Sequence, residues 1–410
     1  MTEKIVLVDV AHETLKPLTC TRSVSDIEVA GQTVFEHIRE RLGDGSYAVS
    51  TPEYLEEVTR LNSEIYRVER AVGTDIEAGD IVYNSSIVPT DEVAGKIEGL
   101  EPGQGLFAGD EFIAACFDRG FSSYQELMAR LEDLTDLEYI RVQEKPVHLE
   151  YPWDLVEYNG RLMEESLETG EIKGEMHETV EIVGDRNDFQ LGENSEVGAY
   201  TVIDVSGGPV VIDSDTRVWP NSRIEGPAYI GSETKIGAGQ NAVIHENTHV
   251  GNVARAGGEI EESIIHSFSN KYHYGYFGHG VAGSWVNFGA GTTNSDLKNT
   301  YGTVRVDHPV EGEKKVGQFV GATLGDHTKM DIGTLIYTGK QVGPVTKLNG
   351  VVDSSLDPFT WYHDSQEHDY RLEAARDHLE RMMARREEHL PEGYVEAQKE
   401  LIEHIHENEA

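Results

Sequence analysis

The segment Asn270–Gly280, which reads NKYHYGYFGHG, holds side chains that could move a proton. Two histidines, His273 and His279, lie there among three tyrosines. A neutral imidazole near pH 7 is a competent general base. A single histidine is more often structural, so the spacing leaves a catalytic and a structural interpretation open for both residues.

Metal and thiol chemistry have little support in the sequence. Three further histidines, His245, His249 and His266, lie just before this segment, but their spacing matches no zinc-ligand pattern. Cys20 and Cys116 are too few for a disulfide framework or a zinc-ligand set. We read them as small buried residues in a reducing compartment.

Cationic side chains are concentrated in the same part of the chain. Seven of the 14 lysines lie between Lys271 and Lys347, although the whole chain has 74 acidic and only 34 basic residues. Such a concentration in an acidic chain favours an anionic ligand, such as a phosphate. The alternative is simple charge balance on one face of the fold.

A second candidate region is Leu15–Gly31, which reads LKPLTCTRSVSDIEVAG and follows the first predicted strand. Ligands of parallel-sheet enzymes bind at this position, beyond the carboxyl end of a strand. Arg22 could hold a phosphate there. The loop directly after the strand contains no glycine, so the sequence predicts no glycine-rich phosphate-binding turn.

Predicted strands and helices alternate through the first part of the chain. Lys4–Val10 is an apolar run typical of a strand buried on both faces, and Asp80–Pro89 reads as another strand. Gln32–Leu42 has helical apolar spacing, and Ser123 begins a capping box before a further helix. This alternation predicts an α/β domain with a mainly parallel, Rossmann-like sheet at residues 1–178.

From about Phe189 a six-residue rhythm replaces the helical spacing. Its five consecutive aliphatic positions are Ile212, Val218, Ile224, Ile230 and Ile236. A hexapeptide period is typical of a left-handed parallel β-helix, which has three short strands per coil and aliphatic side chains inside the prism. We therefore predict a β-helix at residues 179–358.

The C-terminal residues 359–410 return to helical spacing. Leu372, Ala375, Leu379 and Met382 form an apolar stripe, and Pro391 interrupts the pattern before a second helix. We expect these helices to cap the open end of the β-helix, since an exposed terminal coil needs covering. A coiled-coil seam for a partner is the alternative.

The net charge of −40 excludes whole classes of function. A protein that coats DNA or RNA needs a basic footprint, and docking on anionic lipid needs basic residues as well. We therefore expect no nucleic-acid partner and no membrane association. The N-terminus has no signal-peptide pattern, and we expect a cytoplasmic protein. Acidic residues spread along the whole chain favour a halophilic, salt-rich cytoplasm over solubility alone.

Several motifs together resemble a known family. LKPLTCTRSVSDIEVAGQTVFEHI resembles the start of the sugar-1-phosphate nucleotidylyltransferases. NKYHYGYFGHGVAGSWVNFGAGTTNSDLKN resembles the acyltransferase β-helix of the bifunctional N-acetylglucosamine-1-phosphate uridyltransferase / glucosamine-1-phosphate acetyltransferase family. With YNSSIVPT and YPWDL, the chain is similar to a divergent sugar nucleotidyltransferase branch of that family.

The resemblance implies roles for residues of the β-helix. His273 matches the histidine that deprotonates the sugar amine before it attacks acetyl-CoA, and Tyr276 and Asn287 match sugar-binding positions. A lysine that the family uses for the sugar phosphate is missing, with Gly257 near its place. Candidate replacements are Arg255, Lys271 and Lys298.

The nucleotidyltransferase half departs further from the family. That reaction needs a glycine-rich loop, cations and Mg²⁺ held by carboxylates. Arg22 matches the family arginine, and Lys16 is a second candidate for the nucleotide phosphates. The catalytic lysine falls at Val24 and the metal-binding aspartate near Ser86, so the metal ligands stay unknown. Other acidic candidates are Asp9, Asp26 and Asp110.

The resemblance predicts a multifunctional transferase of nucleotide-sugar biosynthesis, of the kind that makes UDP-N-acetylglucosamine. Its substrates would be a sugar-1-phosphate, a nucleoside triphosphate and acetyl-CoA, with Mg²⁺ if the first domain is active. Hexapeptide β-helices of the family form homotrimers, so we expect one here. The alternatives are a sugar-nucleotide-binding regulatory protein with the β-helix as an oligomerisation stalk, or a nucleotidyltransferase alone.

Overall fold

A computed structural model describes residues 4–237 and 241–408 of the chain. An α/β domain is followed by a long parallel β-helix and two C-terminal helices. The predicted fold class, a Rossmann-like α/β domain joined to a left-handed parallel β-helix with a helical tail, is confirmed. In the described part of the chain, no helix combines the length and apolar character that a membrane crossing requires.

The α/β domain is built on a seven-stranded sheet that is parallel except for one strand, Glu111–Cys116. From edge to edge the strands are Glu138–Arg141, Gln104–Ala108, Glu111–Cys116, Ile81–Asn84, Ile5–Val8, Tyr47–Ser50 and Ala71–Val72. The apolar run predicted as the first strand is central and buried, as expected of a strand covered on both faces.

Five helices accompany this sheet. They are Val34–Leu42, Glu56–Tyr66, Asp91–Ile97, Tyr124–Leu131 and Pro152–Ser166. The first is fixed at its start by a capping box between Thr33 and Glu36, which satisfies backbone N–H groups that the helix leaves unbonded. The last lies against the β-helix and so joins the two domains.

The β-helix consists of three parallel sheets whose strands follow one another around each coil. The first contains Glu175–Met176, Glu196–Val197, Arg217–Val218, Lys235–Ile236, Arg255–Ala256 and Asn270–Lys271, and continues through Asn287 to Lys329–Met330 and Lys347–Leu348. The second contains Glu181–Val183, Val202–Asp204, Arg223–Glu225, Ala242–Ile244, Gly258–Glu261 and Tyr276–Gly278, and is followed by Thr293–Asn294, Leu335–Ile336 and Val351–Val352. The third, which faces the α/β domain, contains Phe189–Leu191, Val210–Ile212, Ala228–Ile230, Thr248–Val250, Ile264–Ile265, Val281–Ala282, Thr323–Leu324 and Gln341–Val342.

The hexapeptide rhythm builds the core of the β-helix as predicted. All five of the consecutive aliphatic positions from Ile212 to Ile236 are buried inside the prism. Each such side chain contributes about 1.5–3 kcal/mol when it leaves water. Because strands of successive coils pair in register, these side chains stack directly on one another.

The C-terminal helices Leu372–Met383 and Tyr394–Asn408 do not cap the open end of the β-helix, so that expectation was wrong. They pack along one corner, where large apolar residues occupy left-handed turn positions in successive coils. These corner residues are Val253, Phe268, Trp285, Val345 and Phe359. The last coil pairs instead with a hairpin, Thr360–His363 and Gln366–Asp369. Apolar corners therefore decide where the helices dock.

Candidate active site

A cleft of about 710 Å³ opens between the later coils of the β-helix and the C-terminal helices. The C-terminal wall is formed by the helix Leu372–Met383 and the short helix Ala384–His389 that follows it. The lining residues of the β-helix include Arg255, Asn270, Tyr272, His273, Trp285, Asn287, Phe288 and Lys329. The opposite wall contributes His378, Arg381, Met382, Arg385 and Arg386.

Three of the residues predicted from the sequence meet in this cleft: His273, Asn287 and Arg255. His273 is exposed in the loop between two strands, and its ring stands edge-on to that of Tyr272, with centroids 5.8 Å apart. Among the described residues, the imidazole of His273 forms no side-chain hydrogen bond. Its nitrogens are therefore available to a ligand.

The charge of the cleft is opposite to that of the chain. Its described lining includes Arg255, Lys329, Arg381, Arg385 and Arg386, and none of the described lining residues is Asp or Glu. The guanidinium of Arg255 lies over the ring of Tyr272, 5.4 Å from its centroid. Burial lowers the pKa of Lys329 to about 7, and its ammonium donates to the carbonyl of Trp285. This lining suits an anionic ligand.

Lys271, a predicted phosphate ligand, points into the core of the β-helix instead of the cleft. It pairs with Ala256 in an inward column, and its ammonium donates to the carbonyls of Gly257, His273 and Gly275 at 2.8–2.9 Å. Burial lowers the pKa of Lys271 to about 8. All three of its N–H groups are thus used, two on the loop that presents His273 and one on Gly257 of the preceding coil.

Tyr276 and Lys298 also lie outside the cleft. The hydroxyl oxygen of Tyr276 lies 2.7 Å from Glu261 and 2.8 Å from Asp296, so its single proton is donated to one of them at a time. Burial together with these carboxylates raises the pKa of Tyr276. The ammonium of Lys298 donates to the carbonyl of Thr303 at 2.9 Å. The carboxylates around Tyr276 make this position repulsive to a sugar phosphate.

His279, the other histidine of the motif, belongs to the same carboxylate cluster. Its Nδ1 lies 2.8 Å from Asp296, and its Nε2 lies 3.5 Å from Glu262. Burial alone would lower the pKa of His279, but Asp296 and Glu262 outweigh it and raise the pKa. The raised pKa disfavours the neutral imidazole that a general base needs, so the geometry favours a structural role for His279.

Arg22, predicted to hold a nucleotide phosphate, is buried between the two domains. Its guanidinium donates to both oxygens of Asp326 in the β-helix, at 2.5 and 2.6 Å, and lies 2.9 Å from Nδ1 of His266. Burial disfavours the charge, but Asp326 raises the pKa of Arg22 overall. Arg22 therefore bridges the domains, with Nη2 on the carboxylate of Asp326 and Nη1 beside His266.

Other buried polar contacts extend this domain interface. The carboxylate of Glu28 accepts hydrogen bonds from Ser267 and from Tyr66, at 2.9–3.1 Å, and lies 3.5 Å from His249. Burial opposes its charge, but His249 and His266 lower the pKa of Glu28 to about 2. Of the three histidines considered as zinc ligands, two, His249 and His266, therefore lie at the domain interface and hold the domains together.

His245 lies elsewhere, on a different sheet of the β-helix. It forms a group with Glu225 and Glu246 in which one ligand atom from each lies within 4.8 Å of the others. Its Nδ1 is 2.8 Å from Glu225, which is also bonded to Arg223. His245 and Glu225 are thus satisfied by contacts within the protein.

Lys16 lies in the loop that precedes Arg22, next to Pro17. It is buried and forms an ion pair with Glu13, with 3.2 Å between Nζ and the carboxylate. The carbonyl of Thr14 in the same loop accepts a hydrogen bond at 2.9 Å from His308, on a hairpin inserted in the β-helix. This loop is consequently held against the β-helix.

The carboxyl edge of the sheet, where a nucleotide site was expected, is filled by its own side chains. Asp9 is fully buried and accepts hydrogen bonds from the hydroxyls of Ser23 and Ser85 and from the backbone N–H of Val24. Burial raises the pKa of Asp9 to about 6. Val24 and Ser86, the positions that depart from the family, are buried as well.

The carboxylates considered for Mg²⁺ do not assemble a site for it. Both oxygens of Asp9 already accept hydrogen bonds, while Asp26 is bonded to Arg70 and, at 2.9 Å, to Asn62. Asp110 is exposed in the turn between two strands. Mg²⁺ requires several oxygen ligands around one open position. The described residues of this domain therefore do not fit Mg²⁺ as the structure stands.

Sequence reasoning missed the C-terminal wall of the cleft. Arg381, Arg385, Arg386 and His378 lie in a segment interpreted only as helical. The signal available was the run MMARREEH, where two adjacent arginines interrupt the apolar stripe. For Lys271 the signal was the hexapeptide phase, because Ile265 and Phe277 lie six residues to either side of it and both point inward.

Comparisons with known proteins agree with the motifs. Residues 5–172 match the profile of the family described as sugar nucleotidyl transferase. The chain is 32% identical over 185 residues to the bifunctional protein GlmU of Carboxydothermus hydrogenoformans, covering 40% of this chain and 39% of that one. It is 31% identical over 156 residues to GlmU of Ralstonia pickettii, covering 35% and 32%.

A solved structure, the UDP-N-acetylglucosamine acyltransferase of Francisella novicida, overlaps 55% of this chain and 89% of its own, with 14% identity and a TM-score of 0.32. The matches to the GlmU proteins span less than two fifths of their length. The resemblance inferred from the motifs is confirmed. Residues 5–172 are similar to the sugar nucleotidyl transferase family, and the chain that carries them is similar to the bifunctional GlmU proteins.

Proposed function

We propose that this chain is a transferase of nucleotide-sugar metabolism whose acyl-transfer site is the cleft beside His273. The observation that carries the proposal is the meeting of His273, Asn287 and Arg255 in one cation-lined cleft. Acetyl-CoA would supply the acyl group, and an amino-sugar phosphate would accept it. Both substrates carry phosphate groups, which this lining attracts.

In this reaction His273 would take the proton from the attacking amine. The amine nitrogen attacks the thioester carbonyl, the carbon–sulfur bond breaks, and the departing coenzyme A thiolate takes the proton from His273 to leave as the thiol. The exposed imidazole is reachable by substrate, and Lys271 ties two carbonyls of its loop to the carbonyl of Gly257 in the preceding coil. The amide of Asn287 lines the same cleft and could orient the acceptor or donate to the developing oxyanion.

One observation disfavours turnover in the α/β domain and so leaves a non-catalytic, sugar-nucleotide-binding role as the second candidate function. Arg22 and Asp9 are buried and bonded to protein groups, and Val24 and Ser86 are buried beside them. The conformation described leaves no cation open to a triphosphate at this edge. Nucleotidyl transfer with Mg²⁺ would need this loop to open.

A paired assay on the purified full chain in high salt tests both proposals. One reaction contains acetyl-CoA and glucosamine-1-phosphate and measures the thiol released. The other contains UTP or dTTP, a sugar-1-phosphate and Mg²⁺, and measures pyrophosphate. Thiol release without pyrophosphate is the expected result. Pyrophosphate release would show that the α/β domain is catalytic, and folded protein that releases no thiol would contradict the acyltransferase assignment.

We also propose that the chain forms a homotrimer through the outer face of its last coils. Leu335, Tyr337 and Val351 are 40–54% exposed on neighbouring strands of this face. At the corresponding outward positions of an earlier strand, Arg223 and Glu225 are charged. An exposed apolar face on so acidic a protein suits contact with another copy.

Sedimentation of the full chain in molar salt tests this assembly. We expect a trimer that Leu335→Glu dissociates, because a charge would be buried at the contact. Val183→Glu introduces the same charge on an exposed position of the same face at the other end of the β-helix, and it should leave the assembly intact. A monomeric wild-type chain would contradict the proposal.

A further inference from the structure

Three arginines face one another where the cleft meets a neighbouring cavity of about 500 Å³. Arg255 comes from the β-helix, whereas Arg385 and Arg386 come from the short C-terminal helix Ala384–His389. All three line both cavities. The geometry thus places cations from two separate elements of the fold around one space.

Within the described part of the chain, none of these three guanidinium groups forms an ion pair with a carboxylate. This is unusual in a chain with 74 acidic and 34 basic residues, where arginines such as Arg70 and Arg223 have carboxylate partners. Burial lowers the pKa of Arg386, and the nearby charges of Arg255 and Arg385 lower it further, while Glu388 opposes them. Glu388 lines the smaller cavity together with Asp215 and Glu233. Like charges held together are unfavourable until an anion joins them.

The elements that carry these arginines are also held in place. The backbone at Arg386 leaves the helical region, with φ −136° and ψ 16°, so the short helix turns there. His389, at the end of this helix, lies 3.5 Å from Glu233 of the β-helix. On the opposite side Arg255 is stacked over Tyr272. A fixed cationic site loses little conformational entropy when it binds an anion.

We propose that Arg255, Arg385 and Arg386 form a binding subsite for the phosphate groups of a nucleotide. Planar guanidinium groups match phosphate oxygens in bidentate geometry, so three of them can hold two or more phosphate groups. The nucleotide would be either the adenosine phosphate end of coenzyme A or the diphosphate of a nucleotide-linked acceptor. Binding of an anion by the three arginines does not depend on the acyl-transfer proposal. Only the placement of the reactive group of the nucleotide beside His273 rests on that proposal.

Titration calorimetry of the full chain with coenzyme A and, separately, with UDP tests the subsite. The test variant is the double substitution Arg385→Gln with Arg386→Gln. The matched control is Arg376→Gln, on the preceding helix, where the arginine is 3.4 Å from Glu403 and does not line the cleft. We expect wild type and control to bind at least one nucleotide with equal affinity, and the double variant to bind it at least tenfold more weakly.

The source of the phosphates follows from which titration changes. If the double variant loses affinity only for coenzyme A, the arginines bind the acyl donor. If it loses affinity only for UDP, they bind a nucleotide-linked acceptor. Either result supports the subsite. A folded double variant that binds both ligands as tightly as wild type overturns it, and so does a wild-type chain that binds neither. Arginine-dependent binding without thiol release would refute the acyl-transfer proposal and leave the subsite standing.

Discussion

The cleft beside His273 and the carboxyl edge of the α/β sheet differ in what their polar groups are bonded to. At the sheet edge, Asp9 and Arg22 are buried, and their hydrogen bonds are made by protein atoms. In the cleft, the imidazole of His273 and the guanidinium of Arg255 face an open space. A sequence motif can therefore be retained although its side chains only stabilise the fold. An active site is better recognised by polar groups that form no hydrogen bonds within the protein and face an open space.

The largest effect is expected at His273. His273→Ala should lower the rate of thiol release from acetyl-CoA about 10²- to 10⁴-fold, because removing a general base costs that much. The melting temperature should change little, since an exposed side chain contributes little to the core. The measurement is the initial rate at saturating acetyl-CoA, with a melting curve for each protein.

The control for this experiment is His177→Ala. His177 is an exposed histidine of the β-helix that lies near Thr179, outside the cleft. Its loss should leave the rate unchanged. Full activity of the His273→Ala protein would show that His273 does not take the proton from the amine. It would also remove the main functional difference between the cleft and the carboxyl edge of the sheet.

The next largest effect is expected at Arg22. Arg22→Met should destabilise the fold by about 3–5 kcal/mol, because it leaves the buried carboxylate of Asp326 without its partner. Denaturant unfolding measures this change. Arg60→Met removes an exposed arginine paired with Glu57 and should have little effect.

This pair of variants also tests the role that the resemblance gave to Arg22. If Arg22 holds a nucleotide phosphate, its loss should weaken UTP binding while stability stays near that of wild type. A stable Arg22→Met protein with weakened UTP binding would therefore contradict the bridging role derived from the structure.

Much of the fold was accessible from the sequence because it depends on periodic patterns. The spacing from Ile212 to Ile236 predicts the β-helix, and its burial confirms the prediction. The orientation of single polar residues was not accessible in the same way. Arg22 turns toward Asp326, 304 residues later in the chain, and no local pattern encodes that contact.

The cleft shows the same limit. His273 and Asn287 lie in one motif and were found together, whereas Arg385 and Arg386 come from a distant helix. That helix docks where it does because Phe268 and other corner residues are apolar. Sequence analysis can locate such a helix, but its docking position depends on packing across the whole molecule.

A smaller effect is expected in the pH dependence of stability at the sheet edge. Burial raises the pKa of Asp9 from 3.8 to about 6, so the native chain keeps a proton that the unfolded chain releases. The contribution of Asp9 to the free energy of unfolding is present below about pH 4 and is lost as the pH rises through 6. Compared with Asp9→Asn, wild type should lose ~2–3 kcal/mol of unfolding free energy across that range.

Glu28 provides the contrast of opposite sign. Its pKa is lowered from 4.5 to about 2, because the hydrogen bond with His249 and the nearby charged groups outweigh burial. Its contribution is present above about pH 4.5 and is lost as the pH falls toward 2. Unfolding curves of Glu28→Gln should differ from wild type at neutral pH and converge with it in acid. If the difference in unfolding free energy between wild type and Asp9→Asn stayed constant from pH 4 to pH 7, the raised pKa of buried Asp9 would be contradicted.

The smallest effect is expected from salt, and it should have opposite signs for the fold and for the cleft. The net charge of −40 makes the folded surface repel itself, and salt shortens the range of that repulsion from about 10 Å at 0.1 M to about 3 Å at 1 M. The melting temperature should therefore rise with salt. Affinity of the cleft for coenzyme A should fall over the same range, because the same screening weakens its attraction for phosphate. A melting temperature independent of salt would contradict the halophilic interpretation of the acidic surface. An affinity that does not fall would mean that the arginines contribute little to binding.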